Sequence, residues 1–72
     1  YILPEETMVT LVVYDILGKQ IKTIVNQPQN AGIHNARWNG TDISGTPVSG
    51  GVYLYRMEAG EFTHTLKMLL LK

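Results

Sequence analysis

Apolar and polar positions alternate over short stretches of this chain, and no window keeps an apolar period near 3.6 residues. β-Branched and aromatic residues dominate between the turns, where they suit a half-buried pleated surface. The pattern predicts short strands punctuated by Gly, Pro, Asn and Asp, not helices. Tyr1–Leu3 reads as a partial strand stopped by Pro4. Met8–Asp15, rich in Val, Leu and Tyr, is the strongest strand. Ile16-Leu17-Gly18-Lys19 then turns the chain, with Gly18 supplying positive φ. Gln20–Asn26 returns, placing Ile21 and Val25 on one face and Ile24 on the other. A polar loop is expected over Gln27–Gly32, around Pro28.

His34–Asn39 is predicted as a further strand with His34, Ala36 and Trp38 on one face. Gly40 to Gly51 is dense in turn residues and long for a loop, which implies compact turns fixed by Asp and Ser side chains. Val52–Glu58 and Phe62–Lys72 form a closing hairpin across Ala59-Gly60-Glu61. No internal repeat or low-complexity tract stands out. Six or seven short antiparallel strands pack most simply as an all-β, two-layer sandwich of immunoglobulin-like type, its first strand truncated. Trp38, Tyr14, Tyr53 and Tyr55 are the large side chains expected in its core, and Gly18, Gly40, Asp42, Gly45 and Gly51 are expected to fix its turns.

With 72 residues this is one domain over 1–72, of a size that buries only roughly 60% of its unfolded surface. Such a chain has little surplus from which to build a deep catalytic cleft. Six basic residues balance six acidic ones and are spread along the sequence. That argues against nucleic acid or an anionic membrane as partner, since both are bound through clustered Lys and Arg. The longest mostly apolar run, Leu66 to Leu71, includes Lys67 and is too short to span a bilayer. Without cysteine, an apolar core has to replace the disulfides on which small secreted domains often rely. Tyr1-Ile2-Leu3 reads as the end of a strand, so the chain is expected to be a fragment of a longer polypeptide.

Candidate chemistry is thin. His34 and His64 sit on different predicted strands, and no local pattern supplies the three or four ligands a zinc site needs. Ser44 or Ser49 can be grouped with His34 and Asp42, but no nucleophile elbow or oxyanion-hole motif surrounds either serine. The Asn39–Gly45 loop alternates Asn, Asp and Ser oxygens yet holds a single carboxylate, and Asx and Ser turns explain it without calcium. Gly50-Gly51 and Gly60 precede no helix and are turn glycines, not a phosphate cradle. The expectation is a non-enzyme with no cofactor and no metal.

Four blocks in order carry a more specific signal. Val12-Val13-Tyr14-Asp15-Ile16-Leu17-Gly18-Lys19-Gln20-Ile21 is the first, and Ala31-Gly32-Ile33-His34 with Trp38-Asn39-Gly40-Thr41-Asp42 is the second. Ser44 through Gly51 followed by Val52-Tyr53-Leu54-Tyr55-Arg56 is the third, and the ending Lys67-Met68-Leu69-Leu70-Leu71-Lys72 is the fourth. Together they resemble the C-terminal sorting domain (type A) of proteins exported by the bacterial type IX secretion system. The related immunoglobulin-like domain of flagellar hook-capping proteins shares the Trp and Gly blocks but not usually this terminus. Two departures stand out. Asn39 replaces the more usual Asp, and only Tyr1-Ile2-Leu3-Pro4 remains of the family's full first strand.

The resemblance implies an address label that follows a secreted cargo domain of the same polypeptide through the periplasm. The outer-membrane translocon would recognise it, and a surface sortase-like peptidase commonly removes it as cargo reaches the cell surface or medium. Recognition is assigned to the terminal strand Lys67, Met68, Leu69, Leu70, Leu71 and Lys72, with charge from the lysines and pairing from exposed main chain. In the plainer alternative, Met68 and Leu70 simply close the core. A structural role is the competing function: a β-sandwich subunit of an extracellular assembly or filament, self-associating by strand exchange through a bare sheet edge. A carbohydrate- or calcium-binding accessory module would need an exposed platform, for which Tyr53 and Tyr55 share one strand face.

Overall fold

The alternation along the strongest segment decides the architecture, because residues two apart must share a face of the sheet. In the computed structural model, which describes residues 1–71, the alternation builds six strands and no helix among the described residues. They are β1 (Ile2–Leu3), β2 (Thr7–Asp15), β3 (Gln20–Gln29), β4 (Gly32–Ile33), β5 (Gly51–Ala59) and β6 (Phe62–Leu70). Four of them form one antiparallel sheet in the order β3-β2-β5-β6, while β1 and β4 pair as a separate two-stranded sheet. The two layers are those of an all-β immunoglobulin-like sandwich.

Register brings Val9, Leu11 and Val13 of β2 opposite Ala59, Met57 and Tyr55 of β5. On the far side of β5, Tyr53, Tyr55 and Met57 stand opposite Met68, Leu66 and His64 of β6. These positions make up the inner face. Leu3 of the small sheet packs on Val9, Leu11 and Met57, with Tyr1, Ile24, Val25, Tyr55 and Ala59 around them. Val9 and Val13 are almost fully enclosed, at 0% and 1% exposure. The core lies under β1 and β4, over the middle of the large sheet. Towards β6 the cover thins, and Leu66 remains 41% exposed on the same inner face.

Four expectations change. β3 runs on through Gln27, Pro28 and Gln29, where a loop was expected, because it is an edge strand. Proline is tolerated at an edge, where its missing N–H costs no ladder bond. Gly32–Ile33 is likewise strand rather than loop, paired with β1. His34–Asn39 is extended but forms no ladder, so the predicted strand is reduced to its first bridge-bonded residue.

Finally, Ile24 and Val25 do not face opposite ways. The β2–β3 register passes from Leu11↔Val25 to Val12↔Thr23, which leaves Ile24 as the extra residue of a β-bulge. Both side chains then reach the same core.

The closing hairpin is tighter than expected, with Ala59 directly opposite Phe62 and only Gly60-Glu61 between them. Gly60 has φ +62, as the first central residue of a II′ turn requires. A Cβ there would also meet Thr7 Oγ1 at 3.1 Å, so this glycine is fixed by both conformation and space.

Val9→Ala should lower stability by about 2 kcal/mol, from lost apolar burial plus the cavity left behind. Leu69→Ala, at a side chain 64% exposed on the outer face, should stay within about 0.5 kcal/mol of wild type. Urea denaturation of the two variants checks the contrast.

Candidate functional site

The sequence blocks converge on one end of the sandwich, where a single turn design is used twice. In Asp15-Ile16-Leu17-Gly18-Lys19, the Asp15 N–H donates to the Lys19 carbonyl at 2.9 Å and the Gly18 N–H to the Asp15 carbonyl at 3.1 Å. Asp15 Oδ1 accepts the N–H groups of Leu17 and Lys19 at 2.9 and 2.8 Å. In Asp42-Ile43-Ser44-Gly45-Thr46 the corresponding backbone bonds are 2.9 Å to the Thr46 carbonyl and 3.0 Å from the Gly45 N–H. Asp42 Oδ1 accepts the N–H groups of Ser44 and Thr46, both at 3.0 Å, and the Ser44 hydroxyl at 3.0 Å. The glycines match as well, with φ +85 at Gly18 and +84 at Gly45.

Both are three-residue hairpin loops whose third member lies in the left-handed region. The shared Asp-Ile-x-Gly pattern is an internal repeat that was legible in the sequence and was missed. It looked like two unrelated turns because one joins long strands while the other is flanked only by the Thr41↔Pro47 bridge.

The second turn is held on the sheet by aromatic residues. The Trp38 and Tyr53 rings meet edge-on, with centroids 5.0 Å apart and planes at 66°. Trp38 Nε1–H donates to the Thr41 carbonyl at 2.8 Å, and the Tyr53 hydroxyl donates to the Ser49 carbonyl at 2.6 Å. Gly40, at φ +75, lies against Leu70, whose methyls would sit 3.5 Å from a Cβ. The Ile43 N–H donates to the Ile21 carbonyl at 3.1 Å, and Lys22 Nζ reaches Thr41 Oγ1 at 3.2 Å. These two bonds clip the turn to the outer edge of β3.

Trp38, Tyr53, Gly40, Asp42, Gly45 and Leu70 are therefore brought together, while Gly18 lies in the other copy of the turn and Gly51 opens β5 opposite Leu70. Of the four expected core aromatics only Tyr53 is buried. Trp38, Tyr14 and Tyr55 are half-buried, since Trp38 lies over the edge of the layer and Tyr14 faces outward.

The candidate chemical groups stay apart. His34 Nε2 donates to the Asn30 carbonyl at 2.6 Å, and its ring stacks on Tyr1 at 5.5 Å. His64 stacks on Phe62 at 5.9 Å. Among the described residues no three His, Asp or Glu side chains gather as a metal site. The Asp42 oxygen that a cation would need is already taken by three donors. Tyr53 is turned into the core, so it makes no two-ring platform with Tyr55. Tyr55 instead lines an open groove of about 400 Å³ between residues 34–38 and β6, floored by Leu11, Val13 and Met57.

At the end of the chain, Lys67 and Leu69 face solvent, Met68 lines the groove and Leu70 is half-buried against Gly40. Leu71 lies beyond β6 and is 80% exposed. The expected strand to Lys72 thus ends at Leu70, and Lys72 is outside the described residues.

A comparison with protein-family models matches residues 3–61 to the FlgD Ig-like domain. The chain belongs to the FlgD Ig-like domain family. The match takes in both Asp-Ile-x-Gly turns, Trp38 and Tyr53, and stops at Glu61 in the last turn, just before β6. Nothing matches among the curated proteins or the solved structures.

In this Ig-like domain the Asp42 carboxyl is held below its ordinary value of 3.8, chiefly by the Thr46 N–H, with both Ser44 donors adding to the effect. A carboxylate depressed in the folded state contributes stability above its unfolded pKa, and that contribution is lost as pH falls through the folded value. Thermal melts from pH 6 down to 2 should show wild type losing ground to Asp42→Asn once the pH drops below about 4. Parallel curves would remove Asp42 as the acid-sensitive lock of the turn.

Proposed function

We propose that this Ig-like domain is a non-catalytic sorting module that directs a cargo carried on the same polypeptide through the type IX translocon of a didermic bacterium. The cargo would reach the cell surface or medium by way of the periplasm. The observation that carries the reading is the division of labour along the chain. The aromatic, Asp and Gly residues of the first three blocks are consumed in mutual hydrogen bonds and ring contacts. The fourth block occupies an edge strand, β6, that lies outside the family match.

On that strand Lys67 and Leu69 point outward, while Met68 and Leu70 anchor it to the domain. A rigid body with one charged, partly apolar edge offers a receptor both main-chain pairing and side-chain pockets. Removal by a surface peptidase after passage belongs to the same reading. A second reading, a structural subunit joined edge to edge, draws on the same free side of β6.

A reporter fused to this domain should be exported in a host that carries the type IX system. Lys67→Glu with Leu69→Ser, both on the outer face and away from the core, should leave the domain folded by circular dichroism and abolish export. Export unchanged by the double substitution would overturn the assignment to β6. A wild-type fusion that stays in the periplasm would overturn the sorting role and leave the structural one.

A further inference from the structure

Asn35, Ala36, Arg37 and Trp38 are extended, yet their main chain has no backbone partner among the described residues. The segment continues β4, and β4 is already in a ladder. Leu3 pairs with Gly32 and Ile2 with Ile33. The ladder goes one step further, since the His34 N–H donates to the Tyr1 carbonyl at 2.8 Å and the Tyr1 amino group to the His34 carbonyl at 2.9 Å. Two residues that exchange both bonds are the closely spaced kind of antiparallel pair, and the next such pair falls two residues on. On one strand that residue is Ala36. Opposite it lies the second position on the amino side of Tyr1.

Side-chain direction agrees. Tyr1 and His34 both turn into the groove beneath, so a period of two sends Ala36 and its opposite position inward as well. Asn35 and the position across from it point to solvent. Ala36 is the small member of the groove wall, and beneath it lie Leu11, Val13, Ile24 and Tyr55. An apolar side chain opposite Ala36 would cover that floor. The edge is thus provided with register, direction and an apolar seat.

We propose that Asn35–Trp38 and the groove beneath form a strand-docking site. Its occupant is an extended segment joined to the amino side of Tyr1, running antiparallel in β1's register with an apolar residue at its second position. Continuity decides for a joined segment over a separate peptide. Tyr1 already stands at the last rung, so a joined segment enters in register without the entropy cost of association. It extends the small sheet over the thinly covered side of the core.

The test is amide hydrogen exchange by NMR on the chain as it stands and on two extended forms. One carries Ser-Thr-Val-Thr ahead of Tyr1, which puts Val opposite Ala36, and the other carries Ser-Thr-Pro-Thr, whose Pro lacks the N–H and resists the ladder. With Val, exchange at the Ala36 amide should slow about five- to tenfold, the effect of about one net hydrogen bond. With Pro it should match the unextended chain, and the amides of β2 and β5 report that all three forms are folded.

Ala36 exchange unchanged by the Val segment would overturn the proposal. So would protection that appears at Thr65 and Lys67 of β6 instead, or equal slowing by both segments. Slowing that grows with protein concentration would name a second copy as the occupant, and would overturn it too.

Discussion

The contact between Trp38 and Tyr53 is the interaction on which the rest of this small sandwich depends. The small sheet is only two residues wide at each strand, so it cannot by itself hold the long stretch from Gly40 to Gly50 against the large sheet. The ring pair does so from the centre of β5. Tyr53 is buried, and Trp38 meets it edge-on, the geometry favoured by the opposite charge of ring edge and ring face. Their polar tips then point in opposite directions along the loop, one to Thr41 and the other to Ser49. Two rings thereby close a loop whose own residues contribute almost nothing to the core.

That arrangement also decides what the site can be. Every group in the Gly40–Gly50 stretch that could have bound a ligand is spent on holding the stretch in place. Asp42 Oδ1 accepts three donors, and Lys22 is drawn to Thr41. The conserved-looking residues of the motif blocks are scaffold, and the surfaces left for recognition are edges of sheets. Function in such a domain has to be read from its free main chain and from the side chains flanking it, as at β6 and at residues 35–38.

The fold was legible where alternation is strict. Val9, Leu11 and Val13 declared the inner face of β2, and the Gly60 turn declared the final hairpin, because period and turn chemistry are local properties. What the sequence hid was non-local. Pro28 reads as a strand breaker until β3 is known to be an edge. Ile24 and Val25 read as opposite faces until the bulge is seen, since an extra residue in one strand leaves no mark on the alternation itself. His34–Asn39 has a strand's pattern but lacks a ladder partner. At the candidate site, the residues of the Trp and Gly blocks were named correctly, whereas their contacts across the sandwich could not be. The paired Asp-Ile-x-Gly turns were in plain view, and comparing the spacing of Asp and Gly around the two loops would have found them.

A double-mutant cycle between Trp38→Leu and Tyr53→Leu, measured by urea denaturation, tests most directly whether the ring pair holds the layers together. The account predicts a coupling of about 0.5–1.5 kcal/mol between the two positions, the range of a well-formed aromatic pair. Additive losses, with no coupling outside experimental error, would contradict it.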